Sequence, residues 1–386
     1  MTNGKKKAVV FGNNYWGSPY QVGSHFFARE FSRAGCDVLY ISDPINLGHK
    51  ILAKNDPDLI KRAGYSSPVQ VEEGIWAYVP DVLISCMRRP LLDNRMILDN
   101  WWRLSLPSVK GVISKAGFHN PDFVFFNSLH FNWALREYPK ARTCLRMADW
   151  NSGMSGTPRA AVQAQLELME KCDHVYAASQ AAIDDHFSKD TSRTIEFLPN
   201  GVDLDSLNDG NPVPDEYRSS KGLGRKIAVY VGAIDDRFDL ALVRSLARAM
   251  PELDIYIIGK ITRADDVLDG AIENLKFIGP RPFAEISSYL EHADVGLMPQ
   301  TRSCPAADYF NPLKMYQYMY FGLPIVSTWW KELGYLAPPI DIVSDADGFV
   351  EKVREAVSRG AHERGKYEDF LTSHTWRGSF DIVRKS

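Results

Sequence analysis

Short apolar runs recur along this chain without the alternation of a half-exposed strand. In the first half they fall at 8–11, 37–41, 75–79, 81–85, 123–126, 143–147 and 174–178. In the second half they fall at 228–232, 254–259, 274–279, 294–298 and 324–328. Helix-period segments at 22–34, 158–171 and 181–187 lie between several of them. Continuous apolar runs separated by helices predict parallel strands buried on both faces. The expected class is therefore α/β, with two doubly wound Rossmann-like units. No internal repeat and no low-complexity stretch interrupts this pattern.

A break falls at Leu198-Pro199-Asn200-Gly201-Val202-Asp203, and the segment 208–224 that follows is polar and rich in Gly, Pro and Ser, as linkers are. It divides the chain into domains at 1–200 and 201–365, with a helix over 366–386 expected to return to the first. Ligands of open α/β sheets bind at the carboxyl ends of the strands, so the chemistry is expected in a cleft where the two domains face each other.

Composition narrows the function classes. The 386 residues carry a formal net charge of -3, so no global field favours nucleic acid or a strongly anionic partner. Cys36, Cys86, Cys144, Cys172 and Cys304 are scattered, without paired metal-ligand spacing, which predicts free thiols in a reducing compartment. The basic residues of 1–7 precede an apolar run too short for a signal-peptide core, and no stretch approaches a membrane span. The expected location is the cytoplasm or the cytosolic face of a membrane.

One charge stands in an unusual place. Asn311 suits an N-cap, Pro312 the first helical position, and Gly322 with Pro324 a helix end, which puts Lys314 in the first turn. The helix dipole already makes that end positive. A lysine there makes sense where an anion binds, because free N–H groups and an ammonium form a phosphate site. A solvated surface lysine is the alternative. The run 228–232 leads into Gly232-Ala233-Ile234-Asp235-Asp236, small residues that let a diphosphate approach the backbone. Asp235-Asp236 and Asp203-Leu204-Asp205 have the spacing of metal-binding carboxylates, but with a lysine to hold phosphate no metal is expected.

Asp149 directly follows the run 143–147, which places it at the carboxyl edge of the first sheet. It could act as a general base toward an acceptor hydroxyl, or simply close the strand as turn aspartates do. The loop Gly12 to Tyr20, with Asn13, Tyr15 and Trp16, lacks the glycine spacing of a dinucleotide fingerprint. Its amides and aromatics suit a sugar, or an ordered turn with buried rings. His25 opens the next helix, where a lone histidine is more often structural. Arg88, Arg89, Arg95, Arg103, Lys110 and Lys115 surround Trp101, Trp102, Leu104 and Leu106. That stretch could rest on an anionic membrane, or be a solvated helix with a tryptophan pair in the core.

The two doubly wound halves, the linker Pro199-Asn200-Gly201-Val202-Asp203, the strand-loop Val231-Gly232-Ala233-Ile234 and the segment Asn311 to Tyr318 together resemble the GT-B glycosyltransferases. Within them the likeness is greatest to the xanthan UDP-glucuronate-dependent glucuronosyltransferases, and weakest over 45–117. The resemblance implies an acceptor-binding first domain and a nucleotide-sugar-binding second domain. It implies Asp149 as catalytic base, with Asn13, Tyr15, Trp16, His25 and Trp150 around the acceptor. The donor would meet Gly232, Ala233, Ile234, Arg281, Asn311, Pro312, Leu313, Lys314, Met315 and Gln317.

Two departures separate the chain from retaining GT-B enzymes, which usually have glutamate at Gln317 and arginine or lysine at Ala233. They leave the charge around the diphosphate to Lys314 and the backbone. The implied activity is metal-independent, inverting hexosyl transfer from a UDP-sugar to a hydroxyl of a glycan or lipid-linked glycan. No cofactor and no nucleic acid is implied, and contact with a membrane is peripheral. A retaining transferase, a nucleotide-sugar epimerase or hydrolase of the same architecture, and a non-enzymatic nucleotide-sugar-binding subunit are the alternatives.

Overall fold

A computed structural model describes residues 5–52, 55–105, 107–154, 156–262, 272–360 and 364–385. The chain divides into two compact units, Met1–Pro199 with Trp376–Ser386, and Asn200–Thr375.

The first unit is built on an eight-stranded sheet. Its order is Glu196–Phe197, His174–Ala177, Arg142–Met147, Phe123–Phe126, Lys7–Gly12, Asp37–Ser42, Ile75–Tyr78, Val69–Glu72. All neighbours run parallel except the last pair. The inner strands Lys7–Gly12 and Asp37–Ser42 are buried along nearly their whole length, as continuous apolar runs require. Val69–Glu72 carries only exposed and half-buried residues, so apolar content alone does not reveal it. The run 81–85 does not form a strand of this sheet. Only Asp81–Val82 is extended, and it pairs with Ile45–Asn46 in a separate ribbon.

The second unit holds a six-stranded parallel sheet ordered Leu275–Phe277, Leu253–Ile258, Lys226–Val231, Val295–Met298, Ile325–Thr328, Asp341–Val343. Its core gathers Ala228, Val243, Leu246, Ile255, Leu297, Val326 and Phe349.

The return to the first unit begins at Trp376, not at residue 366. The helix Arg364–Ser373 stays with the second unit, where Tyr367 donates its hydroxyl to Leu323 O at 3.0 Å. The helix Trp376–Lys385 buries Trp376, Ser379, Phe380 and Val383, the spacing of an apolar stripe. Trp376 stacks on Phe26 at 5.1 Å, and Phe380 meets Phe31 edge-on at 4.9 Å.

Trp101 and Trp102 are core residues, which corrects the membrane reading of that pair. Trp101 donates Nε1–H to His130 O at 2.8 Å, and Trp102 stacks on Trp133 at 4.9 Å. Arg95 is likewise held, by Asp99 and Glu167. Leu106 lies outside the described residues. The surface around this stretch is instead apolar at Leu91, 90% exposed, and Met96, 75% exposed. Among the described residues no helix is long and apolar enough to cross a membrane.

Candidate functional site

In the second unit the strand Lys226–Val231 ends at Gly232, which has φ 152°. A Cβ on Gly232 would stand 2.7 Å from Lys314 Nζ, and one on Gly259 would stand 1.7 Å from Gly232 O. Backbone and ammonium therefore approach as closely as glycine permits. The helix Leu313–Tyr320 is fixed on this strand end by Tyr318, whose hydroxyl oxygen accepts the Val231 N–H at 2.8 Å. Gly296 makes room for that ring, since a Cβ there would lie 2.4 Å from Tyr318 Cδ2. Residues four apart share a helix face, so seating Tyr318 carries Lys314 to the mouth of the strand. Its Nζ sits 3.7 Å from the Tyr230 ring centroid.

The helix begins one residue later than its sequence suggests. Pro312 is the cap, with φ -84° and ψ 110°, and its side chain makes no cap hydrogen bond to the first turn. Asn311 is buried instead of capping: its Oδ1 accepts the Tyr316 hydroxyl at 3.0 Å, and its carbonyl accepts Asn200 Nδ2–H at 2.8 Å. With Pro312 extended, the Asn311 side chain points inward and braces the linker. Met315 is also buried, so only its backbone can meet a ligand; Leu313 and Gln317 are half-buried. Ala233 O accepts the Tyr230 hydroxyl at 2.9 Å, while Ile234 is buried.

Burial, and after it the neighbouring Arg237, push the Lys314 ammonium down to about 7, with Asp235 opposing both. Arg237 binds Asp235 through Nη2 at 2.7 Å and Nε at 3.2 Å, and lies 4.6 Å over the Phe310 ring. Burial would raise the Asp235 carboxyl, but Arg237 and then Lys314 hold it below the usual carboxylate range. Arg237 escaped the sequence reading. The available signal was a cation a few residues beyond Ala233, where one was missing.

Arg281 is held by several partners. It pairs with Glu216, donates Nε–H to Tyr289 Oη at 3.0 Å, and gives Nη1–H to Ile278 O at 2.7 Å. Asp203 accepts the Asp205 N–H at 3.3 Å, a local turn contact. Among the described residues no three His, Cys, Asp or Glu side chains are grouped to hold a metal ion.

In the first unit Asp149 lies just beyond the strand Arg142–Met147 and is half-buried. Its carbonyl accepts Asn151 Nδ2–H at 3.2 Å, and the same amide reaches Gln165 Oε1 at 3.3 Å. Trp150 stacks on His186 at 3.8 Å and 9°, while a Cβ on Gly153 would come 2.2 Å from the indole. One face of Trp150 is thus already covered. Asp43, after the strand Asp37–Ser42, is a second carboxylate at this edge that sequence reasoning missed; it accepts the Ser128 hydroxyl at 2.6 Å.

The aromatic loop folds inward. Tyr15 is buried and donates to Asp58 Oδ1 at 2.9 Å, and Trp16 is buried with the Arg29 guanidinium 5.0 Å over its ring. His25 is fully buried: its Nδ1 accepts Val22 N–H and its Nε2 contacts Tyr15 O, each at 3.2 Å. Burial depresses its imidazole to about 3, so it is neutral and structural. Of the expected acceptor contacts in this loop, only Asn13 is exposed.

Residues 10–178 match the family model of the N-terminal domain of glucuronosyltransferase GumK. TuaH of Bacillus subtilis, named as a teichuronic acid biosynthesis glycosyltransferase, is 23% identical over 172 residues. That match spans 43% of this chain and 42% of TuaH, less than half of either. Among solved structures, sucrose-phosphate synthase of Thermosynechococcus elongatus has a TM-score of 0.68 at 14% identity, covering 99% of this chain and 98% of that one. Anabaena HepE in complex with UDP and glucose has a TM-score of 0.65 at 13% identity, covering 98% of both. The chain therefore has the GT-B fold over its whole length, and its first unit is similar to the N-terminal domain of the GumK glucuronosyltransferases.

Proposed function

We propose that the protein is a glycosyltransferase that moves a sugar from a UDP-sugar, glucuronate in the nearest case, to a hydroxyl of a glycan or lipid-linked glycan, with inversion. The observation that carries this reading is Lys314, an ammonium held beside the Gly232 backbone in the first turn of a helix whose cap residue is a proline. Such a place favours phosphate. In this reading Lys314 and the helix N–H groups stabilise the departing diphosphate, and no metal ion is assigned a step. Asp149 takes the proton of the acceptor hydroxyl. The UDP-glucose complex of HepE and the names of GumK and TuaH support a UDP donor and a polysaccharide product. Gln317 and Ala233, which depart from the retaining pattern, support inversion.

Five free thiols fit a reducing compartment, and we place the activity in the cytoplasm or at the cytosolic membrane face. The surface we assign to peripheral membrane contact is formed by the exposed residues of 88–104, Arg88, Arg89, Leu91, Met96, Arg103 and Leu104, not by its tryptophans.

Thermal shift with UDP, UDP-glucose, UDP-glucuronate, GDP and GDP-mannose tests the donor. The uridine compounds should raise the melting temperature, by the mass action of binding to the native state. A rise with the guanosine set alone, or with none, overturns the reading.

A further inference from the structure

We infer that His186 is a positioning residue for Asp149, acting through the Trp150 indole on which its imidazole is stacked. The inference rests on the reading of Asp149 as base.

Topology brings the two rings together. The strands Arg142–Met147 and His174–Ala177 are parallel neighbours, so both leave the sheet at the same carboxyl edge. Asp149 and Trp150 follow the first strand, and a short helical segment over 180–190 follows the second. Ser179 opens that segment, its hydroxyl oxygen accepting the Ala182 N–H at 3.1 Å. Ile183–Phe187 then forms a single π-turn, wider by one residue than an α-turn. Such turns are rare in proteins and are frequent at functional sites. Ile183 and Phe187 are buried, while His186 lies against the Trp150 ring.

The contact is a close one. The ring planes lie 9° apart with centroids 3.8 Å from each other, so the faces overlap. Both side chains are half-buried, and the stack therefore does more than fill the core. Gly153 packs on the same indole, where a Cβ would come within 2.2 Å, and its N–H donates to Trp150 O at 3.1 Å. The Asn151 amide joins Asp149 O to Gln165, on the helix Arg159–Lys171. The turn 149–153 is thus tied to two helical segments, through Gln165 and through His186. Rotation about the Asp149–Trp150 peptide would carry the indole off the imidazole, so the stack restrains the backbone from which the Asp149 carboxylate projects. A base works only from the productive geometry, and a misplacement of about 1 Å can cost about 10²-fold in rate.

Hydrogen exchange of the full chain tests the assignment, together with the kinetics of UDP release from UDP-glucuronate with p-nitrophenyl glycosides as acceptors. His186→Ala should lower kcat about tenfold or more and speed exchange at the Gly153 and Met154 amides. The KM for UDP-glucuronate and the titrated affinity for UDP should stay as they are. His186→Phe keeps a flat ring for the indole and should restore most of kcat and of the amide protection. In a Trp150→Ala background His186→Ala should speed that exchange no further, because no indole is left to hold.

Failure of His186→Phe to restore kcat overturns the inference, since the imidazole would then be needed for its nitrogens. Faster exchange on adding His186→Ala to Trp150→Ala overturns it, and so does a parallel fall in UDP affinity, because the effect would reach beyond the turn. Asp149→Asn separates the levels. If it is inactive while His186→Ala retains wild-type kcat, the base reading stands and the positioning role falls. If Asp149→Asn turns over like the wild type, the base reading itself fails.

Discussion

Lys314 holds its ammonium 3.7 Å from the centre of the Tyr230 ring, and the hydroxyl of that same ring donates to Ala233 O. A cation–π contact of this kind partly replaces lost water but does not replace a counter-ion. The ammonium therefore stands near its titration point at neutral pH, pushed down to about 7 chiefly by burial.

Two opposite pH slopes follow from that position. A diphosphate binds the protonated lysine, so UDP affinity should be full below pH 7 and fall as pH rises through about 7. Titrations near pH 7.5 in buffers of different ionisation enthalpy should register proton uptake on binding. The folded-state value is depressed from 10.5, so between about 7 and 10.5 the unfolded chain binds the extra proton. Stability of the ligand-free protein should therefore gain from this group as pH rises across that window. Urea midpoints against pH check the second slope, and Lys314→Met should flatten both. A UDP affinity that is level from pH 6 to 9 would contradict the assignment.

Membrane contact should depend on Leu91 and its arginines. Leu91 has φ 68°, a conformation uncommon for a bulky residue, and keeps its side chain almost entirely in solvent beside the exposed Arg88 and Arg89. Co-sedimentation with phosphatidylserine-containing vesicles should be strong at low salt and weaken as salt screens the arginines. Leu91→Glu should reduce it further at every salt concentration. Absence of binding at low salt would return this loop to ordinary surface.

Some of this architecture was legible because it rests on periodicity. Unbroken runs such as Ala8 to Phe11 are enough to predict strands buried on both faces, and a lysine at a helix start is visible as a charge out of place. Whether a residue in a loop faces a ligand is a different matter. Tyr15, Trp16 and His25 have the chemistry of a sugar site, but burying their rings in the core outweighed exposing them. The cap at residue 311 turned on the backbone of Pro312, which composition does not report. Arg237 and Arg281 are both cations near strand ends, and composition does not report their contacts: the Asp235 carboxylate and the Phe310 ring for one, and a carboxylate, a tyrosine and a carbonyl for the other.

Asp149→Asn should abolish sugar transfer while sparing donor binding. Asparagine keeps the shape and one carbonyl oxygen, but cannot take the proton of an acceptor hydroxyl at neutral pH. Loss of a positioned base usually costs about 10²–10⁴-fold in rate. One backbone hold on this residue is the Asn151 amide, which donates to the Asp149 carbonyl and also to Gln165 Oε1, and the substitution leaves it in place. Donor affinity should hardly change, because Asp149 belongs to the first unit and the phosphate site to the second. Titration with UDP, the transfer rate, and NMR of the anomeric configuration of the wild-type product together decide the role. Inversion with an inactive variant supports the base. Asp43 at the same sheet edge provides a control: Asp43→Asn should retain most of the transfer, and if it is the inactive variant instead, the base has been placed on the wrong strand end. Retention of configuration with substantial turnover in Asp149→Asn would leave Asp149 as an acceptor ligand or a strand-end turn.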